Sequence, residues 1–161
     1  MKRSERLVIS ITEVKEEGLK VKGDLPAKVL DLPVDEAERQ TCPNPLQYDL
    51  AVHLVGDGML VEGAVRTTAR CRCDRCLAYF DLAIADEALC HFYEHLTVTE
   101  VDVTDDLRED LLITLPTVNL CQEACRGICP QCGQNLNTRP CECPATPGKA
   151  FIWHQLDDLH L

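Results

Sequence analysis

The chain has 161 residues, 45% of them hydrophobic, and carries a formal net charge of −11. That length and apolar content suit one globular domain, or one domain with a small appendage. So acidic a chain is a poor general binder of nucleic-acid phosphates, and no hydrophobic run approaches the ~20 residues needed to span a bilayer.

Residues 1–17, MKRSERLVISITEVKEE, are basic at the start, but their apolar run before Glu13 is too short for a secretory signal. Eleven cysteines, an odd number, fit a reducing compartment better than a disulfide framework. The expected location is the cytoplasm.

Residues 7–22 read as two short strands, LVISI and LKVKG, parted by Glu16-Glu17-Gly18. Residues 25–45 contain Pro26, Pro33, Pro43 and Pro45 and predict a loop with at most a short helix, in which Cys42 is a free thiol. From Leu46 the period becomes two: Leu46, Tyr48, Leu50, Val52 and Leu54 alternate with Gln47, Asp49, Ala51 and His53, as on a strand with one buried face. Gly56-Asp57-Gly58 predicts a turn. Residues 59–71 continue as a longer strand, with Val61, Gly63, Val65, Thr67, Ala69 and Cys71 on one side and Glu62, Arg66, Arg70 and Arg72 on the other. After a reversal at Cys73-Asp74-Arg75-Cys76, Phe80, Leu82 and Ile84 mark a returning strand, which makes three strands an antiparallel meander.

His91-Phe92-Tyr93-Glu94-His95 matches the H-x-x-E-H peptidase pattern, which works only on a helix. Here it continues a strand and reads as an ordinary surface segment. Residues 104–115 place leucines at 107, 111, 112 and 115, the stripe of an amphipathic helix with Thr104 as N-cap, Asp105 and Asp106 in the first turn, and Pro116 as its stop.

Residues 120–144, LCQEACRGICPQCGQNLNTRPCECP, hold six of the eleven cysteines. Four thiolates gathered in a loop repel one another unless a divalent metal sits among them. Pro130 and Gly133 allow a tight turn that faces Cys129 and Cys132 to one point. Cys141 and Cys143, two apart, share one side of an extended segment. These four predict one tetrahedral Zn2+ site. Cys121 and Cys125 either replace one of those pairs or seed a second site. Cys73 and Cys76 are either half of a zinc site completed by distant cysteines such as Cys121 and Cys125, or a pair of reduced thiols. With few large apolar residues here, metal stands in for a core, and structural zinc contributes apparent free energies of about 10–16 kcal/mol in small modules. Residues 147–161 predict a linker and a short helix, with Ile152, Leu156 and Leu159 near helical spacing and Trp153 as its anchor.

The charge is uneven. Residues 81–116 hold Asp81, Asp86, Glu87, Glu94, Glu100, Asp102, Asp105, Asp106, Glu109 and Asp110 against Arg108 alone, a belt that would attract basic proteins. Arg66, Arg70, Arg72 and Arg75 form a local basic patch beside Cys73 and Cys76.

With those motifs laid out, the chain resembles the YceD family, the large ribosomal RNA subunit accumulation proteins. The resemblance rests on C-x-R-C-L at residues 73–77 followed by Phe80, on Leu115-Pro116, on the pattern C-x3-C-[RK]-G-[IL]-C-P-x-C-G-x-N-L-N over 121–137, and on C-x-C at 141–143. It covers roughly residues 45–160. The chain departs from it at Ala150-Phe151-Ile152-Trp153, where the family often has Asp-Pro-Arg. The resemblance implies a bacterial cytoplasmic factor needed for accumulation of large-subunit (23S) rRNA. Partners then follow: a large-subunit ribosomal protein or pre-50S particle held by the acidic belt, or an rRNA element touched locally by Arg66, Arg70, Arg72 and Arg75. No membrane, small-molecule substrate or catalytic residue is expected. A zinc-thiolate redox sensor with chaperone-like activity is the alternative from a different class.

The reading is an α+β fold, mainly an antiparallel meander with one amphipathic helix and a small cysteine-rich zinc module. Residues 1–116 form the β-rich part, 117–146 the module and 147–161 the linker and short helix.

Overall fold

The computed structural model describes residues 5–32, 39–94 and 96–144, so the predicted C-terminal linker and helix, with Trp153, lie outside the described residues. The chain order is β1 (Val8–Ser10), β2 (Leu19–Leu25), β3 (Gln40–Thr41), β4 (Leu46–Val55), β5 (Gly58–Arg72), β6 (Tyr79–Tyr93), β7 (Glu100–Asp102) and helix α1 (Thr104–Thr114). One-turn 3-10 helices occupy Ile11–Glu13 and Ala27–Leu30. The α+β architecture read from the sequence is what the structure shows.

β5 is the spine. It pairs antiparallel with β4 over its first half, with β3 at its far end and with β6 along nearly its whole length, while β2 extends the sheet beyond β4. Alternation puts Leu46, Leu50 and Val52 of β4, and Met59, Val61, Val65, Ala69 and Cys71 of β5, on one buried face. Leu107 and Leu111 of α1, Leu30 and Ile9 cover that face and close the main core. Leu54, the last residue of the predicted stripe, is exposed beside the turn.

One feature adds to the sequence reading, and two differ from it: the side that the 91–93 segment buries and the role of Thr104. LVISI and LKVKG form strands that do not share a sheet: β1 pairs with β7, a three-residue strand with no readable pattern. β6 runs on to Tyr93 because a bulge sets Glu87 and Ala88 opposite Ala64, which moves the buried parity from Ile84 to Leu89. His91 and Tyr93 therefore face α1, where His91 Nε2 meets Asp110 at 2.6 Å and the Tyr93 hydroxyl donates to Asp106. Thr104 is the first helical residue rather than the cap. Val103 takes the cap position, and Asp102 accepts the Thr104 N–H at 3.0 Å. Leu7 N–H donates to the buried Thr104 hydroxyl at 2.7 Å, which is why that position is polar yet inside.

No helix among the described residues is long and apolar enough to cross a membrane.

Candidate metal centres

β5 and β6 are joined by Cys73-Asp74-Arg75-Cys76-Leu77, and the module carries Cys129-Pro130-Gln131-Cys132-Gly133. The two segments fold alike. In the first, Leu77 N–H donates to Cys73 C=O at 2.9 Å and Cys73 N–H to Ala78 C=O at 2.9 Å. In the second, Gly133 N–H donates to Cys129 C=O at 2.9 Å and Cys129 N–H to Gln134 C=O at 2.8 Å. The residue after the second cysteine is left-handed in both, Leu77 at φ 60° and Gly133 at φ 72°. A leucine there is strained, whereas glycine adopts the conformation freely.

Each knuckle meets a second pair of cysteines. The sulfurs of Cys73, Cys76, Cys121 and Cys125 all lie within 4.8 Å of one another, as do those of Cys129, Cys132, Cys141 and Cys143. Four sulfurs about 2.3 Å from one ion at tetrahedral corners stand about 3.8 Å apart. In the first quartet Cys73 and Cys125 are separated by 3.8 Å and Cys76 and Cys121 by 3.6 Å. Both quartets have the composition and spacing to hold a metal ion, and four soft sulfurs select a thiophilic one. Of the alternatives left open for Cys121 and Cys125, the structure brings them to Cys73 and Cys76.

The electrostatics of the bare quartets make the same point. Burial raises the Cys73 thiol, but backbone N–H groups of Cys121, Cys76 and Arg75 outweigh it and hold Cys73 at about 6. Cys129, facing the N–H groups of Cys132 and Gln131, also sits at about 6. Burial and its sulfur neighbours push Cys121 up to about 12, and the Cys132 thiol followed by burial pushes Cys143 up to about 12. Without a cation each quartet therefore keeps protonated members at neutral pH. Loading must expel those protons, so affinity rises with pH, by at least about tenfold per unit per site. Chelator competition between pH 6.5 and 8 checks this, and a flat profile contradicts it.

A polar strut holds the first quartet to the sheet. Asn119 is 0% exposed: its N–H donates to Asp74 Oδ2 at 2.7 Å, its C=O accepts the Asp74 N–H at 2.8 Å, and its side-chain oxygen accepts from Gln40 Nε2 at 2.8 Å. Arg39 clamps Asp74 through Nε and Nη2 and reaches Thr117 C=O at 2.6 Å. Sequence reasoning missed Asn119, Arg39 and Gln40, since none belongs to a motif. Asn119→Ala keeps the backbone bonds to Asp74 but removes the side-chain bonds to Gln40 and to the Arg39 carbonyl, and should cost on the order of 1 kcal/mol, read as a lower denaturation midpoint; an unchanged midpoint contradicts this.

Three of the four arginines of the predicted basic patch have partners. Arg66 meets Glu87 at 3.5 Å, and Arg70 meets Asp81 at 3.2 Å while lying over the Tyr79 ring. Arg75 donates to the carbonyls of Glu123 and Cys125 at 3.4 and 3.2 Å, so it braces the module. Arg72 is half-buried at the end of β5. His91 lies on a strand, not a helix, and His95 is outside the described residues. Cys42 and Cys71 are buried outside either quartet, and Cys90 is exposed.

Comparison with known proteins bears on the same region. Residues 86–160 match the family described as "Large ribosomal RNA subunit accumulation protein YceD". A chloroplastic YCED homolog 1 of Arabidopsis thaliana, itself named a large ribosomal RNA subunit accumulation protein, is 37% identical over 46 residues, 29% of this chain and 14% of that one. Residues 86–160 of the chain are therefore similar to the YceD family. Uncharacterised proteins of Mycobacterium tuberculosis and Mycobacterium leprae are 34% and 29% identical over 110 and 111 residues, 59% and 60% of this chain. The YceD-like chain spans about half the length of these mycobacterial relatives, 53% and 51%. No solved structure matches.

Proposed function

We propose that this chain is a non-catalytic ribosome-biogenesis factor that supports accumulation of large-subunit rRNA in the cytoplasm, with Zn2+ in both quartets. The observation that carries this reading is the match of residues 86–160, which enclose α1 and the cysteine module, to a family named for that role. Four thiolates complete a four-coordinate sphere and leave no position for a substrate, which supports structural rather than catalytic ions. In this reading residues 1–116 form the body and 117–146 the metal-bound module, with Cys73 and Cys76 lent to it by the sheet.

The direct partner in this proposal is a basic ribosomal protein or pre-50S particle. Arg66 and Arg70 face carboxylates and Arg75 is engaged with backbone, so the patch offers little uncompensated charge to RNA phosphates. Asp105 and Glu109 on α1, with Glu94 and Glu100 on neighbouring segments, stay exposed and supply a surface for cationic side chains. The test mixes zinc-loaded full chain with large-subunit ribosomal proteins and with 23S rRNA at stepped salt. Reversing Asp105 and Glu109 to Lys should abolish protein capture, while reversing Arg66, Arg70 and Arg72 to Glu should leave it unchanged. Loss of rRNA binding on arginine reversal, with protein capture absent throughout, overturns the choice of partner.

A further inference from the structure

We infer that the two metal sites fill cooperatively and that Asn137 is the positioning residue that couples them. Only residues 126–128 separate Cys125 of one quartet from Cys129 of the other. Asn137 lies in the loop 133–140, whose flanking residues Cys132 and Cys141 are both ligands of the second quartet. Its side chain nevertheless serves the first: Asn137 Nδ2 donates to Cys125 Sγ at 3.3 Å.

The amide orientation is fixed by its other contacts. Asn137 Oδ1 accepts the Arg126 backbone N–H at 2.8 Å and Gln122 Nε2 at 3.4 Å, and a backbone N–H can only donate, so the amino group must face the sulfur. Asn135 Oδ1 accepts both Asn137 N–H and Nδ2 at 2.9 Å, which locks the turn. The backbone reinforces this link, with Leu136 N–H donating to Gly127 C=O at 2.9 Å and Ile128 bridging Asn135. Gly127 is left-handed, at φ 74°, and an added Cβ would come within 3.1 Å of Arg75 C=O, so this connection also touches the first knuckle.

An ion in the second quartet closes the 133–140 loop and fixes the backbone that carries Asn137. The first quartet then gains an oriented N–H donor to a thiolate without having to order that loop itself. By linkage, an ion in the first quartet must tighten the second by the same factor. Hydrogen bonds to metal ligands of this kind change affinity by about 10–100-fold, which sets the size of the coupling.

The test uses Co2+ on the full chain, read by thiolate-to-metal absorption in competition with a chelator. With the second quartet disabled by Cys141→Ser and Cys143→Ser, affinity at the first should fall by about tenfold. Asn137→Ala should bring the intact chain down to the same value and split one steep titration into two steps. Asn137→Asp keeps the acceptor for Arg126 but sets a carboxylate oxygen against the Cys125 sulfur and Asn135 Oδ1, so the loss at the first quartet should equal or exceed that of Asn137→Ala. With the first quartet disabled by Cys73→Ser and Cys76→Ser, Asn137→Ala should change affinity at the second quartet by much less than the tenfold it costs the first, since there only the bond to Asn135 is lost. Should the disabled variants fail to fold, the intact chain with Asn137→Ala or Asn137→Asp still decides by the shape of its titration. Independent filling in the unmodified chain, or an Asn137→Ala titration indistinguishable from it, overturns the inference. No Co2+ uptake at all would instead refute the metal reading on which the coupling rests.

Discussion

Replacing Cys73 and Cys76 by Ser will release residues 117–144 from the sheet while the sheet stays folded, and metal content will fall from about two ions per chain to about one. The asymmetry comes from what each part is made of. The main core is built of leucine, valine and isoleucine from β4, β5, β6 and α1 and does not depend on either quartet. Around Cys73, Cys76 and Cys125 only Ala78, Phe80, Leu120 and Cys121 are packed among the described residues, too little apolar surface to hold a 28-residue segment in place. Among the described residues the Asp74–Asn119 strut and Arg75 on two carbonyls act through the knuckle that an ion would close, and the further bonds from Arg39 and Gln40 reach only Thr117 and Asn119, at the start of the segment. Amide exchange reads the outcome: residues 120–137 should lose protection and β4 to β6 should keep it. Retained protection in the module would show that the strut alone suffices.

Gly63→Ala will have the largest effect of any glycine-to-alanine substitution in the sheet, on the order of 3 kcal/mol or more, read as a loss of denaturation midpoint. Gly63 has φ 151°, and a Cβ there would stand 2.1 Å from Asp49 C=O and 2.9 Å from Leu50 Cα. Those atoms are backbone of the neighbouring strand, so no rotamer change relieves the clash. Gly63 also sits at the bulge, opposite Leu89 and next to the register shift, where β5 must approach β4 closely as β6 changes parity. A contrasting control is Gly56→Ala in the β4–β5 turn: it is also left-handed, at φ 63°, but meets nothing within 4 Å, so only conformational strain of about 1 kcal/mol is expected. Equal effects at both positions would contradict the packing argument.

Much of the sheet is legible because burial on one face writes itself as period two. Leu46 to Val52, and Val61 to Cys71, announce both strands and their inward side. The second half of β6 is legible as a strand but its inward side is not: the bulge at Glu87 and Ala88 breaks the period, and His91 and Tyr93 are inward residues with polar partners on α1. β1, β3 and β7 are too short for any period to show. The cysteine spacings mark both knuckles, because a tight turn between two sulfurs is a local property. Which pair joins which is not local, since Cys73 and Cys125 are 52 positions apart and meet only once β5, β6 and α1 have folded. Asn119 carried no signal, and Asn137, though it ends the pattern over 121–137, carried none of its role, since an asparagine in a loop looks the same whether it is solvated or holds a cysteine sulfur in place.

The most direct measurement is X-ray absorption at the metal edge, with metal quantification, on protein purified from its own cells without added metal. Two zinc ions per chain, each surrounded by four sulfurs at about 2.3 Å, is the predicted result. A folded, metal-free chain, or an ion bound through oxygen or nitrogen, would contradict the assignment of both quartets.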